Sequence, residues 1–143
     1  MTRILLPVDG SKHALKATRK LIELAGLLRE RPEILPLYVH LPVPSFKRFG
    51  AVVGKTAVQR YYEEEGREAL APVEKLLKAA DYAVRGQIRV GPVAQTIVDY
   101  AGKEGCDLTC IGSRGMSAAG SALMGSIASK VLHGSVVPVI VVR

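Results

Sequence analysis

The chain has 143 residues, a length that favours a single domain with room for a sizeable core. Hydrophobic residues make up 48% of it, charged residues 23% and aromatic residues only 5%, so we expect a soluble globular fold with an aliphatic core. The net charge of +7 favours anionic partners, but the basic residues are dispersed and form no basic tail, which argues against a nucleic-acid-binding protein.

The first predicted strand and helix open the chain. The apolar run over residues 4–8 ends at the turn pair Asp9-Gly10 and predicts a buried strand. Ser11 is suited to cap a helix, because its hydroxyl can accept a hydrogen bond from a first-turn amide. Apolar residues then recur at the helical period as far as Leu28, and Pro32 lies beyond the predicted helix end.

A second apolar run, over residues 34–41, predicts the next strand. Pro36 lies near its start and has no amide hydrogen, so it must sit where the ladder needs none. The composition of residues 42–54 shifts to Pro, Gly, Ser and Lys, which predicts the longest loop. Residues 50–56 within and after it resemble a P-loop, but three residues instead of four separate the glycines, so we expect a surface loop.

Helical sequence resumes at about residue 56 and continues to about residue 80. Gly66 and Pro72 interrupt this helix, and the proline predicts either a kink or two abutting helices. The second half of the chain continues the alternation, with predicted strands over 84–90, 108–111 and 136–142 and predicted helices over 93–103 and 125–133. Pro138 falls inside the last predicted strand, and the core face of the helix over 93–103 is predicted to be Ile97, Val98 and Ala101.

Five strands thus alternate with helices, and no repeat or linker divides the chain. Such alternation predicts right-handed crossovers and a parallel sheet that is covered on both faces. We therefore expect one doubly wound α/β domain over residues 1–143.

Two further patterns indicate the redox state of the cysteines and the expected cellular location of the domain. Cys106 and Cys110 are the only cysteines, their spacing is not that of a zinc pair, and both flank a predicted buried strand, so we expect reduced core thiols. No stretch of 18 apolar residues could span a membrane, and the N-terminus runs straight into a strand without a signal-peptide pattern. The expected location is the cytoplasm.

The pattern that carries chemistry is a pair of glycine clusters near the C-terminus. Gly112-Ser113-Arg114-Gly115 follows a predicted strand, and Gly125-Ser126 opens a predicted helix after nine intervening residues. Phosphate oxygens must approach backbone amides closely, which glycine permits, and the first turn of a helix offers unpaired amides and a positive dipole end. Ser126 could add a hydroxyl and Arg114 a charge. The alternative is that the glycines form only a turn and that Ser126 only caps the helix.

This spacing of Gly-x-x-Gly, nine residues and Gly-Ser resembles the signature of nucleotide-binding members of the universal stress protein family. The resemblance extends over the chain, from the opening residues 4–11 through Val39-His40-Leu41 to the closing residues 137–142. It implies a Rossmann-like three-layer sandwich with strand order 3-2-1-4-5. It also implies ATP, or ADP or AMP, in a crevice between the first and fourth strands, and a homodimer.

The resemblance also implies roles for particular residues. Pro7 and Val8 would pack near the adenosine, Leu41 would line the adenine pocket, and Asp9 would face the ribose or contact Mg²⁺ indirectly. The ribose and phosphates would be held by the two glycine clusters and the following helix start, namely Gly112, Ser113, Arg114, Gly115, Gly125, Ser126, Ile127 and Ala128. Asp9 has an alternative role as a turn carboxylate bonded to the next backbone amides.

The last predicted strand, Val137–Val142, would lie at an edge of the sheet and invite pairing with another chain. The resemblance implies that this strand pairs across a two-fold axis; burial under a helix is the alternative. We therefore expect a nucleotide-responsive regulatory homodimer with at most slow ATP hydrolysis. The competing hypothesis is a structural or regulatory dimer of the same fold that binds no nucleotide.

Overall fold

The computed structural model describes residues 1–43, 54–115 and 124–143. These residues form, in chain order, β1 Arg3–Val8, α1 Lys12–Ala25, β2 Glu33–His40, α2 Lys55–Ala79, β3 Gln87–Val90, α3 Val93–Lys103, β4 Leu108–Gly112, α4 Ser126–Gly134 and β5 Val139–Val142. All five strands are parallel in the order β3-β2-β1-β4-β5. The predicted doubly wound α/β sheet and its strand order are confirmed.

The central strand β1 is buried between two helix layers. Successive side chains of a strand point to opposite faces, so Leu6 and Val8 join one core cluster and Leu5 joins the other. The first cluster is completed by α1 and α2, and the second by α3 and α4. Pro36 pairs with Leu6 of β1, and the β2–β3 pairing begins one residue later, so the proline interrupts no β2–β3 ladder bond.

α1 begins as the sequence predicts but ends earlier. The Ser11 hydroxyl accepts a hydrogen bond from the Ala14 amide at 3.2 Å, which caps the first turn. The helix ends at Ala25, with Gly26 as its C-cap. Leu28, predicted as a helical core position, therefore lies beyond the helix and is 45% exposed. That prediction is wrong because the periodic pattern continues past the glycine at which the helix stops.

α2 is one helix of 25 residues with Pro72 inside it, so the predicted alternative of two abutting helices is not found. Gly66 is on the buried face of α2. A Cβ at this position would lie 2.4 Å from Ile88 Cδ1 and 3.1 Å from Tyr38 Cδ1. The glycine therefore permits close packing on β2 and β3.

Two edge strands are shorter than predicted. β3 begins at Gln87 instead of residue 84, because both backbone groups of Gly86 bond to α2 side chains: the amide donates to Glu74 at 2.7 Å and the carbonyl accepts from Arg67 at 2.6 Å.

Val98 in α3 was predicted to face the core, but it is only partly buried and Tyr100 takes an inner position.

β5 begins at Val139 instead of residue 136. The Ser135 hydroxyl donates to the Val137 carbonyl and accepts from the Val137 amide, which holds the preceding residues in a turn. Val136 is consequently 80% exposed. Pro138 precedes the strand, so the prediction that it lies inside the edge strand is wrong.

Other predictions concern the thiols and the long loop. Cys106 and Cys110 are buried free thiols, as expected, and burial raises the pKa of both, that of Cys110 to about 11. Residues 44–53, which hold most of the predicted long loop and of the P-loop-like segment, lie outside the described residues. None of the described helices is long and apolar enough to cross a membrane.

Candidate functional site

The two predicted glycine clusters lie together at the carboxyl ends of the central strands. β1 and β4 are neighbours in the sheet, yet their crossovers lead to opposite sides, with β2 on one side and β5 on the other. Doubly wound sheets bind ligands in the crevice at such a switch point. The Gly125 amide donates to the Ser113 carbonyl at 2.6 Å, which joins the start of α4 to the end of β4.

Asp9 and Gly10 form the turn that follows β1. Asp9 Oδ1 accepts a hydrogen bond from the Ser11 amide at 3.0 Å, so the role as a turn carboxylate is present. Gly10 has φ +82°, a conformation that a residue with a side chain rarely adopts. Asp9 itself is exposed at the carboxyl edge of the sheet. Its carboxylate is therefore both a turn element and accessible to a ligand.

The three clustered glycines are needed for close approach and not for left-handed backbone, since none of them has a positive φ. A Cβ on Gly112 would lie 2.9 Å from the His13 carbonyl oxygen, in the first turn of α1. One on Gly115 would lie 2.7 Å from Asp9 Oδ2, and one on Gly125 would lie 3.2 Å from both Arg114 Cα and the Ser113 oxygen. Glycine thus lets α1, Asp9 and α4 converge on one small region.

Some amides of this region are already engaged. The Ser113 amide donates to the Val142 carbonyl at 2.7 Å, and the Gly125 amide donates to Ser113. Both residues therefore shape the loop without offering an amide to a ligand. Their neighbours Arg114 and Gly115 are half-buried, and their predicted role in holding a ligand through the backbone stays a prediction.

The start of α4 has the character of an anion site. Gly125 is its N-cap, no side chain among the described residues caps it, and its first turn holds no acidic residue. The first-turn amides of a helix have no partner inside the helix and lie at the positive end of its dipole. Ser126 is exposed, Ile127 half-buried and Ala128 buried in the core. The first turn of α4 is therefore packed into the core through Ala128 and open to solvent at Ser126.

The predicted adenosine-contacting residues differ in accessibility. Val8 is only 4% exposed and packs in the core between the sheet and the α1–α2 layer, so its side chain points away from the crevice. Pro7 is also buried. Leu41 follows directly after β2 and is 59% exposed.

A cluster of four rings beside Leu41 was not anticipated from the sequence. The His40 ring makes edge contacts with Tyr38, Tyr61 and Tyr62 at centroid distances of 5.9, 5.5 and 5.1 Å. Its Nδ1 lies 2.6 Å from the Leu41 carbonyl oxygen. The available signal was the alternation that puts residues 38 and 40 on one face of β2.

The electrostatics of this cluster are dominated by burial. Desolvation, followed by the charge of Glu65, raises the pKa of Tyr38 to about 12. No group of three His, Cys, Asp or Glu side chains that could hold a metal occurs within residues 1–43, 54–115 and 124–143. What the arrangement offers is a set of amide donors, the Arg114 charge and one accessible carboxylate, which suits binding of an anionic ligand better than multi-ligand metal chemistry.

Comparison with known proteins agrees with this arrangement. The model of the universal stress protein family matches residues 1–143. The universal stress protein MJ0531 of Methanocaldococcus jannaschii is 30% identical over 99% of this chain and 81% of its own length. The solved structure of MJ0577 is 26% identical with a TM-score of 0.82 and covers 99% of this chain and 94% of its own.

More distant solved structures share the fold and contain nucleotides. A universal stress protein in complex with cAMP has a TM-score of 0.68 at 20% identity and covers 99% of this chain and 97% of its own. An Archaeoglobus fulgidus protein in complex with dAMP has a TM-score of 0.64 at 19% identity and covers 100% and 98%. An Arabidopsis thaliana protein with AMP bound has a TM-score of 0.68 at 15% identity and covers 99% and 91%.

Proposed function

Because the chain belongs to the universal stress protein family, we propose that it is a single-domain adenine-nucleotide-binding protein of the cytoplasm. ATP, or ADP or AMP, occupies the carboxyl edge of β1 and β4, and the bound nucleotide alters the loop after β4 and thereby the partners of the protein. The observation that carries this proposal is the start of α4, which has neither a side-chain cap nor a first-turn acid and lies against Ser113. The nucleotides bound to its structural neighbours support the ligand class.

In this proposal, the phosphates are bound by backbone amides of the two glycine clusters. The amides of Arg114 and Gly115 and those of the first turn of α4, Ser126–Ala128, are the donors, because the amides of Ser113 and Gly125 are engaged within the protein. The Arg114 guanidinium adds charge, and it has no ion pair with any residue in the described ranges. The glycines contribute because they have no Cβ that would block the approach of phosphate oxygens to these amides.

The adenosine lies toward β2. Leu41 offers an exposed apolar side chain for the base, and the backbone of Pro7 and Val8 forms the floor of the crevice. Asp9 faces the ribose or an Mg²⁺ that accompanies the phosphates. Mg²⁺ prefers oxygen ligands and usually keeps several waters, so a single carboxylate suits an indirect contact.

Substitution of Gly125 tests the phosphate site. A Val side chain there would press on Arg114 and the Ser113 carbonyl, which lie 3.2 Å from the position of Cβ, and would displace the loop. We expect Gly125→Val to abolish ATP binding in calorimetry while circular dichroism reports an intact fold. Gly102→Val is the matched control, because a Cβ at Gly102 meets nothing within 4 Å. Unchanged ATP affinity in Gly125→Val would contradict the assignment.

The second candidate is a structural or regulatory dimer that binds no nucleotide. The observation that favours it is that the Asp9 carboxylate and the amides of Ser113 and Gly125 all have hydrogen-bond partners within the protein, so these groups need no ligand. Calorimetric silence of the wild-type protein toward ATP, ADP and AMP would favour this candidate. Hydrolysis of Mg-ATP faster than about one turnover per second would contradict both, since that is the rate of an ordinary enzyme.

A further inference from the structure

We call the three residues after β2, Leu41, Pro42 and Val43, the β2 exit. The first and the last of them are hydrogen-bonded to side chains on the α2 side of the sheet. His40 Nδ1 lies 2.6 Å from the Leu41 carbonyl oxygen. The Val43 amide donates to the Tyr62 hydroxyl at 2.9 Å. Two side chains from different elements thus hold the backbone at both ends of this short segment.

The hydrogen bond between His40 and the Leu41 carbonyl determines which ring nitrogen of His40 carries a proton. A carbonyl oxygen can only accept a hydrogen bond, so Nδ1 must carry the proton that it donates. The ring itself is held by edge contacts with Tyr38, Tyr61 and Tyr62 at centroid distances between 5.1 and 5.9 Å. Its orientation is therefore set by packing and is not free to follow the backbone.

The second contact comes from a buried residue of a long helix. Tyr62 is only 7% exposed and lies in the third turn of α2, whose buried face continues through Gly66 and Leu70 onto the sheet. The Tyr62 hydroxyl therefore lies at a defined place relative to β2. The Val43 amide is fixed to that place, while the Leu41 side chain between the two contacts remains exposed.

We propose that His40 and Tyr62 are positioning residues that hold the β2 exit so that Leu41 meets the nucleotide base. This inference rests on the proposed function and deepens it. Neither side chain touches the ligand. The His40–Leu41 hydrogen bond orients the peptide beyond Leu41, and the Tyr62–Val43 hydrogen bond prevents the segment from lifting off α2. Affinity for the base therefore depends on two side chains on the α2 side of the sheet.

Two conservative substitutions separate the hydrogen bonds from the packing. His40→Phe keeps a ring among the tyrosines but removes the Nδ1 donor, and Tyr62→Phe keeps the buried ring but removes the hydroxyl acceptor. We expect each variant to bind ATP about three- to tenfold more weakly in calorimetry, the range set by one neutral hydrogen bond. Binding of GTP, which shares the triphosphate and differs in the base, should weaken less, so the ATP to GTP affinity ratio falls.

Rescue and control variants complete the test. His40→Asn returns an N–H donor close to the place of Nδ1, and it should recover ATP affinity although it loses the ring. His133→Phe and Tyr82→Phe remove a histidine and a tyrosine that lie outside the ring cluster, and both should leave the ratio unchanged. In the ligand-free protein, Tyr62→Phe should also speed hydrogen exchange of the Val43 amide.

The possible outcomes are distinct. Equal weakening of ATP and GTP binding, or an ATP affinity indifferent to both substitutions, would overturn the positioning role while the proposed function stands. A wild-type protein without affinity for any adenine nucleotide would instead contradict the proposed function. A fall in the ATP to GTP ratio with rescue by His40→Asn would support the inference.

Discussion

Gly112 differs from Gly115 in the kind of atom that a Cβ at each position would meet. A Cβ there would lie 2.9 Å from the His13 carbonyl oxygen and 3.1 Å from the His13 carbonyl carbon, both parts of the α1 backbone. For Gly115 the nearest atom is instead the carboxylate of Asp9. Gly112 is therefore a packing residue, although the same signature motif contains both.

The close backbone contact at Gly112 and the open space at Gly102 predict opposite effects of alanine substitution on the free energy of unfolding. Gly112→Ala forces the first turn of α1 away from β4 and should lower the free energy of unfolding by about 1–3 kcal/mol, the usual cost of overpacking. Gly102→Ala in α3 meets open space and should raise it slightly, because alanine loses less backbone entropy in a helix. Urea denaturation measures both, and equal stabilities of the two variants would contradict the packing role.

Tyr38 makes the free energy of unfolding depend on pH in the alkaline range. Its folded pKa is about 12 against an ordinary value of 10.0, chiefly because burial disfavours the phenolate. A raised folded pKa means that the stabilisation is complete below about pH 10 and is lost as the pH rises from about 10 to 12. Tyr38→Phe cannot ionise, so its urea midpoint should fall less than that of the wild-type protein between about pH 9 and 11. An identical fall in both proteins would contradict this assignment.

At the scale of elements, the start of β3 is fixed by α2 and not by its own sequence. Arg67 and Glu74 contact each other at 3.2 Å, and they bond the carbonyl and the amide of Gly86 at 2.6 and 2.7 Å. This clamp holds the chain just before the strand. Residues 84–86, which the sequence pattern placed in the strand, therefore remain outside it.

Removal of Glu74 tests the clamp. Glu74→Ala leaves the Gly86 amide without its acceptor and removes one of the acceptors of Arg67. We expect a loss of about 1–3 kcal/mol in the free energy of unfolding. Glu64→Ala, on an exposed position of the same helix, is the control and should change stability by less than about 0.5 kcal/mol. A Glu74 variant as stable as the control would indicate that the clamp contributes nothing.

The elements illustrate what a sequence can and cannot predict. Capping by Ser11 and the bounds of α3 follow from local patterns, whereas the strand order was implied by the family resemblance; all three are confirmed. The late starts of β3 and β5 depend on hydrogen bonds from backbone amides to side chains, from Gly86 to the distant Glu74 and from Val137 to Ser135 in a turn. The periodicity of apolar residues along the sequence does not reveal such bonds. The ring cluster around His40 was missed for the same reason, since two of its partners, Tyr61 and Tyr62, come from a different element.

At the scale of the whole molecule, the open edge of β5 is the expected dimer interface. The Pro138 and Val142 carbonyls accept from Thr109 and Ser113, so residues of even number in β5 turn their backbone groups toward β4. The amide of Val141 then points to the open edge. Val141→Pro removes that outward donor and leaves the β4–β5 ladder intact.

We expect the wild-type protein to have a dimeric mass in light scattering at micromolar concentration and Val141→Pro to have a monomeric mass with native circular dichroism. The physical reason is that edge pairing requires the outward amide, whereas the fold of one chain does not. A monomeric wild-type protein, or a dimer unaffected by the proline, would contradict pairing through this strand.

The proposed function requires that the amides of the glycine loop and of the first turn of α4 bind the phosphates of an adenine nucleotide. Amide-resolved NMR titration of the isotope-labelled protein with ATP tests it most directly. We predict saturable shifts of the amides of Arg114, Gly115 and residues 126–128, with the amides at the start of β1, on the opposite edge of the sheet, unaffected. No shifts at these five amides at millimolar ATP, or shifts confined to another part of the molecule, would contradict the account.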